Sequence, residues 1–402
     1  MSERSVYLDH AATSPILPEV IEVVTATMTT LGNPSSLHAA GRQARKLVEE
    51  SRESVAAALG ARPGEVVFTS GGTEADNLAV KGLYWARRAA DPRRVRVLAS
   101  AIEHHAVLDA VQWLGQSQGA EIEWLPVDAH GRLDVDAASA AVRRDPASVA
   151  LITVMWANNE VGTVQPVRDV VALAAEYGIP VHSDAVQAVG QVPVDFAASG
   201  LDTMTISGHK VGGPIGVGAL LVRREAELTP VQHGGGQERD VRSGTLDTPS
   251  FAGLATAVST VVNRLDEHAG HLRQLRNALA DGVHRAVPDA VRNGHPELSL
   301  PSLAHFSFPG CEGDSLLLLL DAAGIHCSTG SACSAGVAQP SHVLLAMGVS
   351  PAVARGSLRF SLGRTSTPAD VDALLDTIGP AVERARTAGL ASGGEPGTRY
   401  RE

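Results

Sequence analysis

"VALITVMWANNEVGTVQPVRDVVALAAEYGIPVHSDA", residues 149–185, decides the architecture of this chain. It opens on an apolar run, crosses a polar loop, and enters "VRDVVALAAEYG", where apolar residues recur at helical spacing. It closes on a second short apolar run, "PVHSDA" (180–185). Strands this apolar are buried on both faces, and a helix joining two of them makes a crossover in a parallel sheet. The same rhythm extends outward. "EVVFTS" (65–70) leads into the helical "TEADNLAVKGLYWARRA", and "RVRVLAS" (94–100) into "HAVLDAVQWLGQSQ". "DTMTIS" (202–207) and "VGALLVRR" (217–224) continue it. The pattern predicts an α/β fold with a mostly parallel sheet flanked by helices.

At 402 residues the chain exceeds what one core usually serves, so a second domain is expected. After Pro249 one long helical stretch, "FAGLATAVSTVVNRLDEHAGHLRQLRNALADGV", runs on to about Val287 as a bridge. Beyond it lie "LAHFSF" (303–308), the helix "DSLLLLLDAAG" (314–324), "SLRFSL" (357–362) and a last helix opening at "STPADVDALL". Ser366 or Thr367 followed by Pro368 is a good helix start. The expected division is a large domain over residues 15–255 and a smaller α+β domain from 1–14 with 256–390. The polar "ASGGEPGTRYRE" makes 391–402 an expected disordered tail.

The net charge of −11 argues against broad binding to nucleic acid or to anionic membranes. No stretch approaches the ~20 apolar residues of a membrane span. The opening "MSERSVYLDH" lacks the apolar run of a secretion signal, and an odd count of three cysteines suits reduced thiols. A cytoplasmic location is therefore expected.

Ligands of open α/β sheets collect at the carboxyl ends of the strands. There the sequence places Gly71-Gly72-Thr73, opening a helix whose N-terminus can receive a phosphate. Next come His104 after Glu103, and Asn158 after "LITVMWA". Asp184 ends an apolar strand with Gln187 three residues on, and "SGHKVGGPIG" (207–216) carries Ser207, His209 and Lys210. Each has a plain reading as cap, turn or polar loop. Together they supply a phosphate cradle, an imidazole, an amide, a carboxylate and an amine.

Pyridoxal phosphate requires that set: a lysine for its aldehyde, a carboxylate for its ring nitrogen, and N–H groups for its phosphate. Crowding and desolvation would lower the pKa of Lys210 and free its amine. The glycines after Lys210 are expected to let the cofactor approach the backbone. An unpaired carboxylate at Asp184 would be costly and calls for a cationic partner.

The smaller domain adds "IHCSTGSACSAGVAQPSH" (325–342), small and polar residues carrying Cys327 and Cys333. Burial suits Cys311 and Cys327; the residues around Cys333 cannot build an apolar pocket. No Cys-x-x-Cys pair or zinc spacing is present, so no metal is expected. Arg359, inside an apolar strand pattern, wants a carboxylate, either a substrate's or one in a structural salt bridge.

With these residues in view, the chain resembles the cysteine desulfurases of the NifS/IscS type, class V aminotransferase-like enzymes of PLP fold-type I. The resemblance runs from "YLDHAAT" at Tyr7 to "RFSLGRT". It is carried by "GNPSSLH" (32–38), "TSGGTEADNLA" (69–79), "EHHAVLD" (103–109) and "NNEVGT" (158–163), then by "HSDAVQAVG" (182–190), "SGHK" (207–210), "HGGGQERDVRSGT" (233–245) and "STGSAC" (328–333). It implies that Lys210 carries the cofactor, His104 stacks on its ring and serves in proton transfer, and Asp184 pairs with the ring nitrogen. Gln187 and Asn158 would face the ring hydroxyl. Gly72, Thr73, Ser207 and His209 would bind phosphate, with Thr245 reaching in from a second copy of the chain in a homodimer with shared sites. Asn33 and Arg359 would hold the substrate carboxylate, and Cys333 would accept sulfur.

The implied reaction converts L-cysteine to L-alanine and leaves a persulfide on Cys333. A protein acceptor would follow, such as an iron–sulfur scaffold or a thiolation enzyme. A selenocysteine lyase or an aminotransferase is the rival within enzymes. A non-catalytic scaffold is the rival outside them, and the intact lysine, carboxylate and thiol argue against it. Cys327 beside His326 leaves room for a second thiol role.

Overall fold

The computed structural model describes residues 5–330 and 340–392. Its main sheet contains β1 (Val66–Thr69), β2 (Arg96–Ser100), β3 (Glu121–Leu125), β4 (Val149–Thr153), β5 (Val181–Asp184), β6 (Thr203–Ser207) and β7 (Gly218–Val222). Their order is β1-β7-β6-β5-β4-β2-β3. β7 is antiparallel to both its neighbours, and the other pairings are parallel. The strands read from apolar runs are buried along their length. β3 escaped the sequence reading because it is an edge strand, "EIEWL", with exposed positions and no apolar run.

Helices α1 (Pro18–Met28), α2 (Ala39–Ala58), α3 (Gly72–Ala90), α4 (His105–Gln118), α5 (Val135–Arg144) and α6 (Val167–Ala175) accompany the sheet. The single helix expected after Pro249 is two: α7 (Thr248–Asn263) and α8 (Leu265–Ala286), parted at Arg264. The reason lies in the cores. Phe251, Leu254 and Val258 of α7 pack with Phe68, Ile152 and Ile206. Leu272, Leu279 and Val283 of α8 pack in a second cluster with Phe306, Phe360 and Leu374. One straight helix cannot turn its apolar face to both.

The second cluster is built on an antiparallel sheet of β8 (Val291–Asn293), β9 (Leu303–Ser307) and β10 (Ser357–Ser361), in the order β10-β9-β8. Helices α9 (Gly313–Ala322) and α11 (Pro368–Ser392) pack in this region, whereas α10 (His342–Ala346) packs Val343 and Leu344 with Ile102, Met155 and Val161. α11 thus continues just into the expected tail. The N-terminal segment joins here: Val6–Tyr7 pairs in parallel with Ile325–His326, and Val6 and Leu8 enter the second cluster. A buried fork ties α2 to the loop between β7 and α7, Arg52 Nη1 and Nη2 donating to Glu238 Oε2 (2.8 Å) and Oε1 (2.6 Å). Among the described residues no helix is long and apolar enough to cross a membrane.

Candidate active site

The carboxyl ends of the parallel strands converge on a cavity of about 360 Å³. Gly72 and Thr73 line it where β1 turns into α3. Gly71, the cap of that helix, has φ 149°, and no heavy atom lies within 4 Å of where its Cβ would stand. The helix start is therefore open to a ligand, with its unpaired N–H groups. His104 caps α4, its Nδ1 accepting from Ala106 N (3.1 Å), and its ring borders the cavity. Burial, then the charges of Lys210, His105 and His342, lower its pKa to about 4, so the imidazole is neutral.

Asp184 ends β5 and is buried, with Oδ1 accepting from Val186 N (2.8 Å). No protein cation pairs with it among the described residues; burial and the charge of Asp76 push its pKa up to about 8. Such a carboxyl is poised to ionise against a cation brought by a ligand. Gln187 also lines the cavity, with Nε2 donating to Ala11 O (2.8 Å).

Lys210 follows β6 through a 3₁₀ turn over Gly208–Lys210. Its Nζ donates to Ala11 O (2.6 Å) and Ala12 O (2.8 Å). Burial, then the charge of Arg359, lowers its pKa to about 8. Ser207 and His209 border the same space, His209 Nδ1 lying 3.3 Å from Thr13 Oγ1.

The glycines that follow Lys210 do something other than expected. A Cβ on Gly212 would stand 2.9 Å from Leu17 Cγ, and one on Gly213 would stand 3.0 Å from Gly208 O. They let the turn close on itself and against α1, rather than admit a ligand.

Arg359 forms the structural salt bridge that was one of the two readings offered for it. It is buried on β10, Nη2 forms an ion pair with Asp9 Oδ1 (2.7 Å), and Nη1 donates to Asn159 O (2.9 Å). It also borders the cavity, and its Nε has no partner among the described residues.

Some sequence-derived residues are not brought in. Asn158 spends its side chain within its own loop: Oδ1 accepts from Glu160 N and Val161 N (both 2.9 Å), and Nδ2 donates to Ile102 O (3.1 Å). Its neighbour Asn159 lines the cavity instead. Asn33 is exposed and accepts from Ser35 N (2.9 Å), and Thr245 is exposed; neither lines this cavity. Cys333 lies outside the described residues, which resume at Pro340. The second thiol role left open for Cys327 finds no support. That thiol is buried, its pKa is pushed up to about 12, and His326 is engaged with Asp321 and Ser5.

The sequence reading missed Asp76 and Ser328, both of which line the cavity. A signal for Asp76 was available: it stands beside Ala75 and in step with Ala79 on the apolar stripe of α3, where a charge is out of place.

Comparison with known proteins identifies the family. The class V aminotransferase family model matches residues 6–374. The IscS-like cysteine desulfurase of Mycobacterium tuberculosis is 57% identical over 96% of this chain and 99% of its own length. The cysteine desulfurase IscS of Methanosarcina thermophila is 42% identical, over 95% and 93%. A solved NifS-like protein superposes with a TM-score of 0.87 at 35% identity, covering 95% of this chain and all of that one. The chain belongs to the class V aminotransferase family and, within it, to the cysteine desulfurases.

Proposed function

We propose that this cysteine desulfurase holds its cofactor, pyridoxal 5′-phosphate, in the cavity between Lys210, Asp184 and the start of α3, and there converts L-cysteine to L-alanine. The observation that carries the reading is the cation-free carboxyl of Asp184 in the same cavity as the half-buried amine of Lys210. The open helix start at Gly72 and Thr73 fits the phosphate, together with Ser207 and His209. When bound, the cofactor supplies an electron sink for breaking bonds at the substrate's α-carbon.

The chain's own groups do the rest. Asp184 holds the proton on the ring nitrogen. His104, neutral and fixed by its cap bond at Nδ1, stacks on the ring and presents its Nε2 N–H for proton transfer. Lys210 Nζ, once released, takes the α-proton as a base whose pKa lies close to physiological pH. Arg359 Nε offers a free N–H toward the substrate carboxylate. The Cys333 thiolate attacks the substrate's sulfur: an S–S bond forms as the C–S bond breaks, its electron pair stays with the carbon that becomes the alanine methyl group, and Cys333 is left as a persulfide.

The working unit in this reading is a cytoplasmic homodimer in which Thr245 completes the phosphate site of a second copy. Its exposure supports that, as do the exposed apolar side chains Ile21, Met28, Leu31, Leu37 and Ile215. The persulfide passes to a protein acceptor, such as an iron–sulfur scaffold or a thiolation enzyme; the negative net charge disfavours direct transfer to nucleic acid.

Two variants test the assignment. Lys210→Ala should abolish the absorbance of the lysine–cofactor linkage. Cys333→Ser should keep that absorbance and form no persulfide; if Cys327→Ser behaves that way instead, the sulfur-accepting residue is misassigned.

A further inference from the structure

Beneath the cavity lie three buried carboxyls from three elements: Asp76 on α3, Asp184 at the end of β5, and Glu103 in the turn before α4. Two of them have evident engagements. Asp76 Oδ1 is 3.2 Å from His182 Nε2, and Asp184 faces the cavity. Glu103 is different. Its side chain is fully enclosed, Oε1 accepts one bond, from Met155 N at 2.7 Å, and Oε2 has no partner among the described residues. No arginine or lysine pairs with it among the described residues, and the carboxyls of Asp184 and Asp76 face it from β5 and α3. From α10, His342 Nε2 meets the Glu103 backbone carbonyl at 3.0 Å, not its carboxyl.

As a carboxylate Glu103 would be an enclosed anion with one donor and no cation; as an acid it leaves only the O–H at Oε2 unmatched, the smaller cost. We propose that Glu103 works as a neutral carboxylic acid and is a positioning residue. Its uncharged side chain ties the backbone ahead of His104 to the end of β4 at Met155, and leaves Asp184 the anion beneath the ring nitrogen. A second anion here would repel the charge on Asp184 and disfavour its ionisation. Burial and the charges of Asp184 and Asp76 hold its carboxyl well above the usual range, in the direction the proposal requires. The inference rests on the assignment of Asp184 to the ring nitrogen.

The test is infrared spectroscopy on the folded, cofactor-loaded protein with glutamate carboxyls labelled with ¹³C, near neutral pH. A protonated-glutamate C=O stretch is expected. It should vanish in Glu103→Gln and persist in Glu160→Gln, which removes another buried glutamate. Gln reproduces the neutral acid's shape and its acceptor for Met155 N. Absorbance titration of the substrate-free linkage in Glu103→Gln should therefore give a proton affinity within about twofold of wild type.

Absence of the band in the unaltered protein, its survival in Glu103→Gln, or a tenfold shift of the linkage titration would each overturn the inference. Should Glu103→Gln fail to fold, Glu160→Gln decides alone: the band present supports the proposal, the band absent refutes it. A missing band leaves the Asp184 assignment standing. That assignment fails separately if Asp184→Asn keeps wild-type absorbance and turnover.

Discussion

Lys210 can capture an aldehyde only as the free amine, so its pKa sets how fast the empty protein takes up pyridoxal phosphate. An amine at about 8 is neutral in about a quarter of molecules at pH 7.5, against about one in a thousand for a lysine at 10.5. The gain is ~200-fold in reactive amine, supplied by burial first and the charge of Arg359 second. Stopped-flow absorbance of cofactor-free protein mixed with pyridoxal phosphate should show a rate that rises through pH 8 and levels above it. Arg359→Gln removes the repelling charge and frees Asp9, which also favours the ammonium. The midpoint should move up, and capture at pH 7.5 should slow by several-fold to tenfold. A rate climbing about tenfold per pH unit past pH 9.5 would refute the reasoning, as would faster capture by Arg359→Gln.

Other outcomes follow from the same structure. With its thiol near 12, Cys327 should react with iodoacetamide at pH 8 about a thousandfold more slowly than a free cysteine, read by peptide mass spectrometry. Glu238→Gln removes the buried anion that pairs with the Arg52 guanidinium and turns one of its two accepting oxygens into an amide N–H₂. Urea unfolding should show a loss of about 3–5 kcal/mol.

The pH profile of the cofactor-free protein has a definite sign. Asp184, raised to about 8, keeps its proton in the folded state after the unfolded chain has lost it. That contribution is present at low pH and is lost as pH rises through 8. Below about 6.5 the buried histidines His182 and His305, lowered to about 4 and 3, oppose it: unfolding lets them bind protons, so their contribution is lost as pH falls. Between pH 6.5 and 8 the stability difference between wild type and Asp184→Asn, which isolates this carboxyl from the histidines, should fall by about 2 kcal/mol, and cofactor binding should flatten the drop, measured by calorimetry at fixed ionic strength.

The alternation of apolar runs and amphipathic stretches determined the α/β class, because a strand buried on both faces must be apolar throughout. The same alternation placed Thr73, His104, Asp184 and Lys210 at strand ends, where a parallel sheet gathers its ligands. What pattern could not reach was set by which surface each segment met. The break at Arg264 depends on two cores pulling one helical stretch apart. Asn158 and Asn159 are adjacent polar residues, and only the folded loop turns one inward to its own backbone and the other to the cavity.

Glu103 reads in sequence as the residue before a histidine. In the fold it is a sealed carboxyl with one oxygen unmatched. Periodicity reports whether a position faces inward; it carries no record of the partners that arrive from distant strands. Those partners decide whether a buried acid is charged, an arginine is free, or a lysine is reactive.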